Sequence, residues 1–158
     1  MAANQLAADL DAGFAGKTPL ERLALLAESV DGRRVFTTSL GLEDQMLTHL
    51  IFENALPFEV VTLDTGRLFP ETYALWQRTE ERYGRRIKAK YPQVDALEAL
   101  VDDQGIDGFY FGTDMRKACC GVRKVEPLGR ALNGASAWVT GLRRDPVSYT
   151  HLTLPTKA

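Results

Sequence analysis

Apolar residues recur at two different periods along this chain. Leu6, Leu10 and Phe14 stand four apart, which predicts an amphipathic helix from Ala2 to Phe14. Gly16 and Lys17 break it. Thr18, Pro19 and Glu21 then read as a helix start: a hydroxyl cap, a proline at the first helical position and an acid three residues after the cap. Leu20, Leu23, Ala24, Leu26, Ala27 and Val30 give that helix one apolar stripe, and Asp31-Gly32 end it. The period then shortens. Arg34–Thr38 (RVFTT), Phe58–Leu63 (FEVVTL), Arg86–Lys90 (RIKAK) and Ala137–Gly141 (AWVTG) predict four strands, three of them rich in β-branched and aromatic residues.

Helical spacing returns between the strands. It predicts Asp44–Asn54, with Met46, Leu47, Leu50 and Ile51 inward, Pro70–Tyr83 stopped by Gly84, and Val94–Gln104. Gly105–Gly112 is an aromatic loop holding Phe109, Tyr110 and Phe111. Thr113–Arg123 is predicted helical, with Pro127 restarting or kinking a helix that runs on to Leu132. Strands alternating with helices of this length imply βαβ units with right-handed crossovers. The expected fold is α/β: an open parallel sheet with helices on both faces. Ligands of such sheets bind beyond the carboxyl ends of the strands. The informative turns are therefore Ser39–Asp44, Asp64–Leu68 and the stretch after Gly141.

Length fits a single domain, expected over residues 1–145 of the 158. Pro146–Ala158 (PVSYTHLTLPTKA) is Thr-rich, carries only Lys157 as a charge, and reads as an appended, non-native tail. A hydrophobic share of 45% with 25% charged residues excludes a mainly disordered or collagen-like chain. Apolar runs are only a few residues long, so no transmembrane helix is expected. No basic flank and apolar stretch open the chain, so a cytoplasmic protein is the expectation.

Net charge is −2, which by itself names no partner. Its distribution says more. Arg116 to Arg144 holds seven Lys/Arg against one acid, Glu126, a local +6 that leaves −8 for the rest. That pattern suits one anionic ligand, or a solvated helix face with a basic loop, and not a nucleic-acid coat. The two cysteines are neighbours, Cys119 and Cys120, and adjacent cysteines rarely bridge each other. A reducing compartment fits. The oligomeric state stays open, a homo-oligomer among the alternatives.

Three stretches carry candidate chemistry. Ser39-Leu40-Gly41-Leu42-Glu43-Asp44 follows a strand and opens a helix, where N–H groups and the helix dipole favour anions. Ser39 adds a hydroxyl donor and Gly41 lets a ligand approach the backbone. Glu43 and Asp44 are odd for a phosphate loop; they are better placed to satisfy first-turn N–H groups or sugar hydroxyls. Leu63-Asp64-Thr65-Gly66-Arg67 ends the second strand, where an acid often meets ribose hydroxyls, or simply caps the next helix. Lys117-Ala118-Cys119-Cys120-Gly121-Val122-Arg123-Lys124 offers two soft thiolate donors among cations. They are half of a four-cysteine metal set, or two small half-buried residues on a basic helix.

Taken in order, Leu63-Asp64-Thr65-Gly66-Arg67-Leu68-Phe69-Pro70-Glu71-Thr72-Tyr73, Lys117-Ala118-Cys119-Cys120 with Arg123-Lys124 and Pro127-Leu128, and Gly141-Leu142-Arg143-Arg144-Asp145 resemble the assimilatory adenosine 5′-phosphosulfate (APS) reductase family. These are relatives of the 3′-phosphoadenosine 5′-phosphosulfate (PAPS) reductases. The resemblance covers about residues 18–145, and the Ser39 turn is similar to that family's modified pyrophosphatase loop. The vicinal cysteines point to the cluster-containing APS branch. The fold implied is adenine nucleotide alpha-hydrolase-like. Cys119 and Cys120 would be two of four ligands to a 4Fe–4S cluster, with Lys124 between cluster and sulfate. Ser39, Gly41, Leu63, Asp64, Thr65 and Gly66 would line the nucleotide site, Gly141 would lie against the adenosine, and Arg143 and Arg144 would begin a loop over the phosphosulfate.

The implied reaction is thioredoxin-dependent reduction of APS to sulfite and AMP. The family's downstream Cys-x-x-Cys pair and its C-terminal Glu-Cys-Gly-x-His segment, which carries the nucleophile, do not occur in this sequence. A fragment inactive on its own is expected. The alternatives are PAPS reduction, an ATP-cleaving relative, and a non-catalytic nucleotide- or metal-binding module.

Overall fold

The computed structural model describes residues 2–142. The expected tail boundary at Pro146 and the pair Arg143-Arg144 lie outside the described residues. Helices α1 (Ala2–Gly13) and α2 (Pro19–Ser29) lead into β1 (Arg33–Thr38), α3 (Leu42–Glu53), β2 (Glu59–Leu63), α4 (Pro70–Tyr83) and β3 (Lys88–Lys90). Then follow α5 (Val94–Gln104), a 3₁₀ turn (Gly108–Tyr110), α6 (Thr113–Cys120), a π turn (Gly121–Val125), α7 (Glu126–Leu132) and β4 (Ala135–Thr140). Local chemistry sets several of these ends. Thr18 Oγ1 accepts from Glu21 N–H at 3.3 Å, while the Glu21 carboxylate accepts from Thr18 N–H at 2.7 Å, the reciprocal box expected at the start of α2. Gly84 ends α4 in the left-handed region, with φ 59°.

All strand pairs are parallel and the order is β3-β2-β1-β4. Side-chain alternation along the strands gives the sheet two buried faces. Val35 and Val61 face Ala131 and Leu132 of α7. Their neighbours Phe36 and Val60 face the other way, into a core with Leu23 of α2 and Ile51 and Phe52 of α3. Helices therefore cover both faces, as the alternating pattern implied. The chain steps from β1 to β2 to β3, then returns to lay β4 on the far side of β1. That reversal is a topological switch between β1 and β4, the place where open α/β sheets bind ligands.

Several boundaries move by one or two residues, and two of the departures have a visible cause. β3 begins at Lys88 instead of Arg86. Glu80 of α4 draws off the preceding residues: it accepts from Ile87 N–H at 2.8 Å and pairs with Arg86. The helix predicted over Thr113–Arg123 is α-helical only to Cys120. Pro127 has no N–H for the Arg123 carbonyl, and the ladder before it slips, so that Glu126 N–H reaches back to Gly121 O. The break thus falls upstream of the proline, across Arg123 and Lys124.

The amino ends of three strands are clamped by one carboxylate. Glu59 of β2 pairs with Arg33 of β1 at 2.7 Å and with Lys88 of β3 at 2.8 Å. The hydrogen bond from Arg33, with help from Lys88, holds the Glu59 carboxyl down at about 2. A depressed carboxylate stabilises the fold fully above its ordinary value near 4.5, and that contribution is lost as pH falls toward about 2. Solvent reaches part of the clamp, so we expect it to contribute on the order of 2 kcal/mol. Urea midpoints measured between neutral and strongly acid pH check this: Glu59→Gln flattens that acid dependence if the clamp holds as described, and an unflattened curve contradicts it. No helix among the described residues is long and apolar enough to cross a membrane.

Candidate functional site

The carboxyl ends of β1, β2 and β4 enclose a crevice of about 710 Å³. Its walls come from the turn after β1 (Ser39, Glu43, Asp44), the turn after β2 (Leu63, Thr65, Leu68), the α6–α7 segment (Lys124, Leu128) and the end of β4 (Trp138, Thr140, Gly141). Trp138 Nε1–H donates to Thr37 Oγ1 at 2.9 Å across the β1–β4 seam. Among the described residues lining the crevice, Lys124 is the one Lys or Arg, and it is exposed.

The turn after β1 is strained. Leu40 has φ 64°, a left-handed conformation that costs a branched residue about 1–2 kcal/mol. Burial compensates: the Leu40 side chain is packed in the main core. The kink aims Ser39 back at α3. Ser39 N–H and Oγ–H both donate to Asp44 Oδ2, at 2.6 and 2.5 Å. Asp44 is buried, and the close approach of Gly141 to it leaves no room for a Cβ. Neither of the two uses expected for these acids describes Asp44: its carboxylate accepts from Ser39, two residues ahead of the Gly41 cap, and from no first-turn N–H of α3 among the described residues. Gly41 caps α3 with an ordinary φ of −69° and is not among the crevice-lining residues.

The turn after β2 braces itself. Asp64 Oδ1 accepts from Gly66 N–H and from Tyr73 Oη–H, each at 2.8 Å. The bond to Asp64 pushes the Tyr73 hydroxyl above its ordinary value, because ionising it would place two anions together. Gly66 adopts φ 70°, which the turn requires. Asp64 and Gly66 therefore shape the turn, while Leu63 and Thr65 face the crevice. The brace extends to the π turn: Arg123 Nη1–H donates to Thr65 O at 2.6 Å. Arg123 is buried, and its Nε has no partner among the described residues.

Cys119 and Cys120 close α6 as free, half-buried thiols and do not line the crevice. His49 is engaged elsewhere, with Nδ1 2.9 Å from the Tyr83 hydroxyl. Among the described residues no group of three or more His, Cys, Asp or Glu is placed to hold a metal. The thiols fit two positions of a tetrahedral soft-ligand site and no more. Sequence reasoning singled out Ser39, Leu63, Thr65, Lys124 and Gly141, which the fold brings together here. It missed Trp138 as a wall of the crevice, whose signal was its place in the last strand, and it grouped Arg123 with the cations beside the thiols, whereas the fold buries that side chain against Thr65 O.

Comparison with known proteins fits this geometry. Residues 33–154 match the family model described as the phosphoadenosine phosphosulfate reductase domain. The chain belongs to this family. Within it, the chain is similar to the protein named adenosine 5′-phosphosulfate reductase of Sinorhizobium fredii (strain USDA 257), 58% identical over 123 residues, covering 78% of this chain and 49% of that one. The protein of the same name from Agrobacterium fabrum is 51% identical over 137 residues, covering 87% and 52%. 5′-Adenylylsulfate reductase 3, chloroplastic, of Arabidopsis thaliana is 39% identical over 138 residues, covering 87% and 30%. The chain thus spans about half the length, or less, of the curated relatives it matches. A phosphate complex of PAPS reductase from Candida auris superposes with a TM-score of 0.72 at 24% identity, covering 87% of this chain and 66% of that one, which establishes the shared fold.

Proposed function

We propose that the β1–β4 crevice binds adenosine 5′-phosphosulfate, and that this chain is the nucleotide-binding part of a thioredoxin-dependent APS reductase of sulfate assimilation, working in the cytoplasm. The observation that carries this reading is the position of Lys124. It is an exposed cation on the crevice wall, four residues past a vicinal thiol pair. The names of the similar bacterial proteins support it.

Each residue has a defined part. Ser39, Leu63, Thr65 and Gly141 form the cleft for the nucleotide, and Lys124 meets its anionic end. Cys119 and Cys120 would hold two positions of a 4Fe–4S cluster, which would supply fixed charge to the site. A cysteine thiolate from outside this thiol pair attacks the sulfate sulfur. The bond from sulfur to the AMP oxygen breaks, AMP leaves with that electron pair, and the enzyme carries a thiosulfonate. A thioredoxin-type dithiol then releases sulfite and becomes a disulfide. A cation on the departing phosphate lowers the cost of that charge.

Titration calorimetry with APS and with AMP tests the assignment. Lys124→Ala is expected to weaken APS binding about tenfold or more, the loss of one charge-assisted hydrogen bond, and AMP binding by less. Equal affinities for APS in the two proteins refute it. PAPS run in parallel separates the two substrate classes.

A further inference from the structure

We infer that Thr37 and Thr140, a threonine pair across the β1–β4 seam, are neutral hydroxyl donors to the oxyanion that the crevice takes beside Lys124, and that Trp138 holds Thr37 in that role. Lys124 is the one Lys or Arg among the described residues lining the crevice. A single ammonium meets a sulfate or phosphate group from one side and leaves its other oxygens to other donors. Ser39 does not supply them, because its N–H and its hydroxyl proton both go to Asp44 Oδ2. Thr37 and Thr140 are register partners on adjacent strands, and both line the crevice. Alternation from Val35 puts the pair on the face of the sheet that α7 covers, and the π turn leading into α7 carries Lys124. Thr38 and Thr62, partners on β1 and β2, point to the opposite face.

A threonine hydroxyl has one proton to give and two lone pairs to receive. At Thr37 a lone pair is already taken, since Trp138 Nε1–H donates to Oγ1 at 2.9 Å. At Thr140 the Leu142 N–H donates to Oγ1 at 3.4 Å. Neither hydroxyl proton has an acceptor among the described residues. Buried threonines in the helices behave otherwise: Thr48 and Thr79 spend theirs on the carbonyls of Asp44 and Leu75, at 2.7 and 2.8 Å. An N–H on the oxygen polarises the O–H bond and makes each hydroxyl a better donor. Trp138 is 51% exposed, so its indole contributes a fixed N–H more than core volume. Trp138 is thus a positioning residue, and the two hydroxyls are the groups that touch the anion. Where that anion is the phosphosulfate of APS, the inference rests on the proposed function; the donor pair itself fits any sulfate or phosphate group.

The indole Nε1–H resonance of Trp138 reads the contact directly. Inorganic sulfate and APS are titrated separately, with Trp76, whose Nε1–H is held by Glu80, as the internal control. Both probes are expected to move the Trp138 signal downfield, because a Thr37 hydroxyl that donates becomes a stronger acceptor, and to leave Trp76 in place. Thr37→Val keeps the volume and removes the hydroxyl; it should abolish the indole response and weaken APS binding about tenfold, the size of one hydrogen bond to a charged group. Thr140→Val should weaken APS to a similar degree, serine at either position should restore it, and adenosine, which has no anion, should bind all of them alike. Circular dichroism reports the fold. An indole that neither probe moves, or folded valine variants that bind APS and sulfate as the wild type does, overturns the inference. APS binding with an unmoved indole overturns it and leaves the nucleotide site standing. A sulfate response without APS binding supports the donor pair and overturns the APS reading. Should the valine variants unfold, the wild-type indole decides alone.

Discussion

Gly141→Ala is expected to abolish nucleotide binding and to destabilise the domain by about 2–4 kcal/mol, the loss of one or two charge-assisted hydrogen bonds with some overpacking. The new methyl group would stand 2.0 Å from Asp44 Oδ1, 3.0 Å from Cγ and 3.3 Å from the Asp44 backbone nitrogen. The carboxylate cannot step aside freely, because two hydrogen bonds tie it to Ser39. If it moves, those bonds break and Ser39 N–H is orphaned. If β4 moves instead, its carboxyl end leaves the crevice wall. Either route spoils the site, so urea midpoint and nucleotide affinity fall together. The cost should shrink in an Asp44→Ser background, where the clashing group is gone; that non-additivity identifies the contact. A Gly141→Ala protein with wild-type stability and affinity refutes this packing of β4 against the turn.

Arg123 gives the second large effect, and in a Met variant it falls on binding and not on stability. The guanidinium is buried, and no carboxylate pairs with it among the described residues. One bond, to Thr65 O, and an orphaned Nε are poor compensation for a desolvated charge. Arg123→Met fills similar volume without the charge. Its urea midpoint should stay within about 1 kcal/mol of wild type, because relief of desolvation offsets the lost hydrogen bond. Nucleotide affinity should nevertheless drop about tenfold or more, because the turn carrying Leu63 and Thr65 loses its anchor to the π turn. Arg123→Ala leaves a cavity as well, and should lose about 2–4 kcal/mol of stability. A Met variant that binds normally means that Arg123 does not position the turn.

Much of the fold was legible because local rules governed it. Thr18, Pro19 and Glu21 start α2 through bonds within one turn of chain. Gly84 ends α4 by its own backbone freedom. All four strands fell where β-branched residues or alternation placed them, within two residues at either end. The departures are long-range or cooperative. Glu80 reaches seven residues ahead to shorten β3. Pro127 acts backwards through the hydrogen-bond ladder and turns Gly121–Val125 into a π turn. The site was half legible for the same reason. Strand-end turns advertise themselves, so Ser39, Leu63 and Thr65 were found. That Leu40 is left-handed and that Asp44 folds back onto Ser39 depend on packing that no short window records; the Asp64 turn is local, closed by a bond from Gly66 N–H two residues on, and was one of the two readings the sequence offered.

The assignment of the β1–β4 crevice as the nucleotide site is tested most sharply by titrating APS into the chain and following its amide chemical shifts. Saturable binding is expected, with the largest shifts at Ser39, Leu63, Thr65, Lys124 and Gly141, at the carboxyl ends of β1, β2 and β4. Saturable binding with its shifts elsewhere, or no binding by a folded chain, would contradict that assignment.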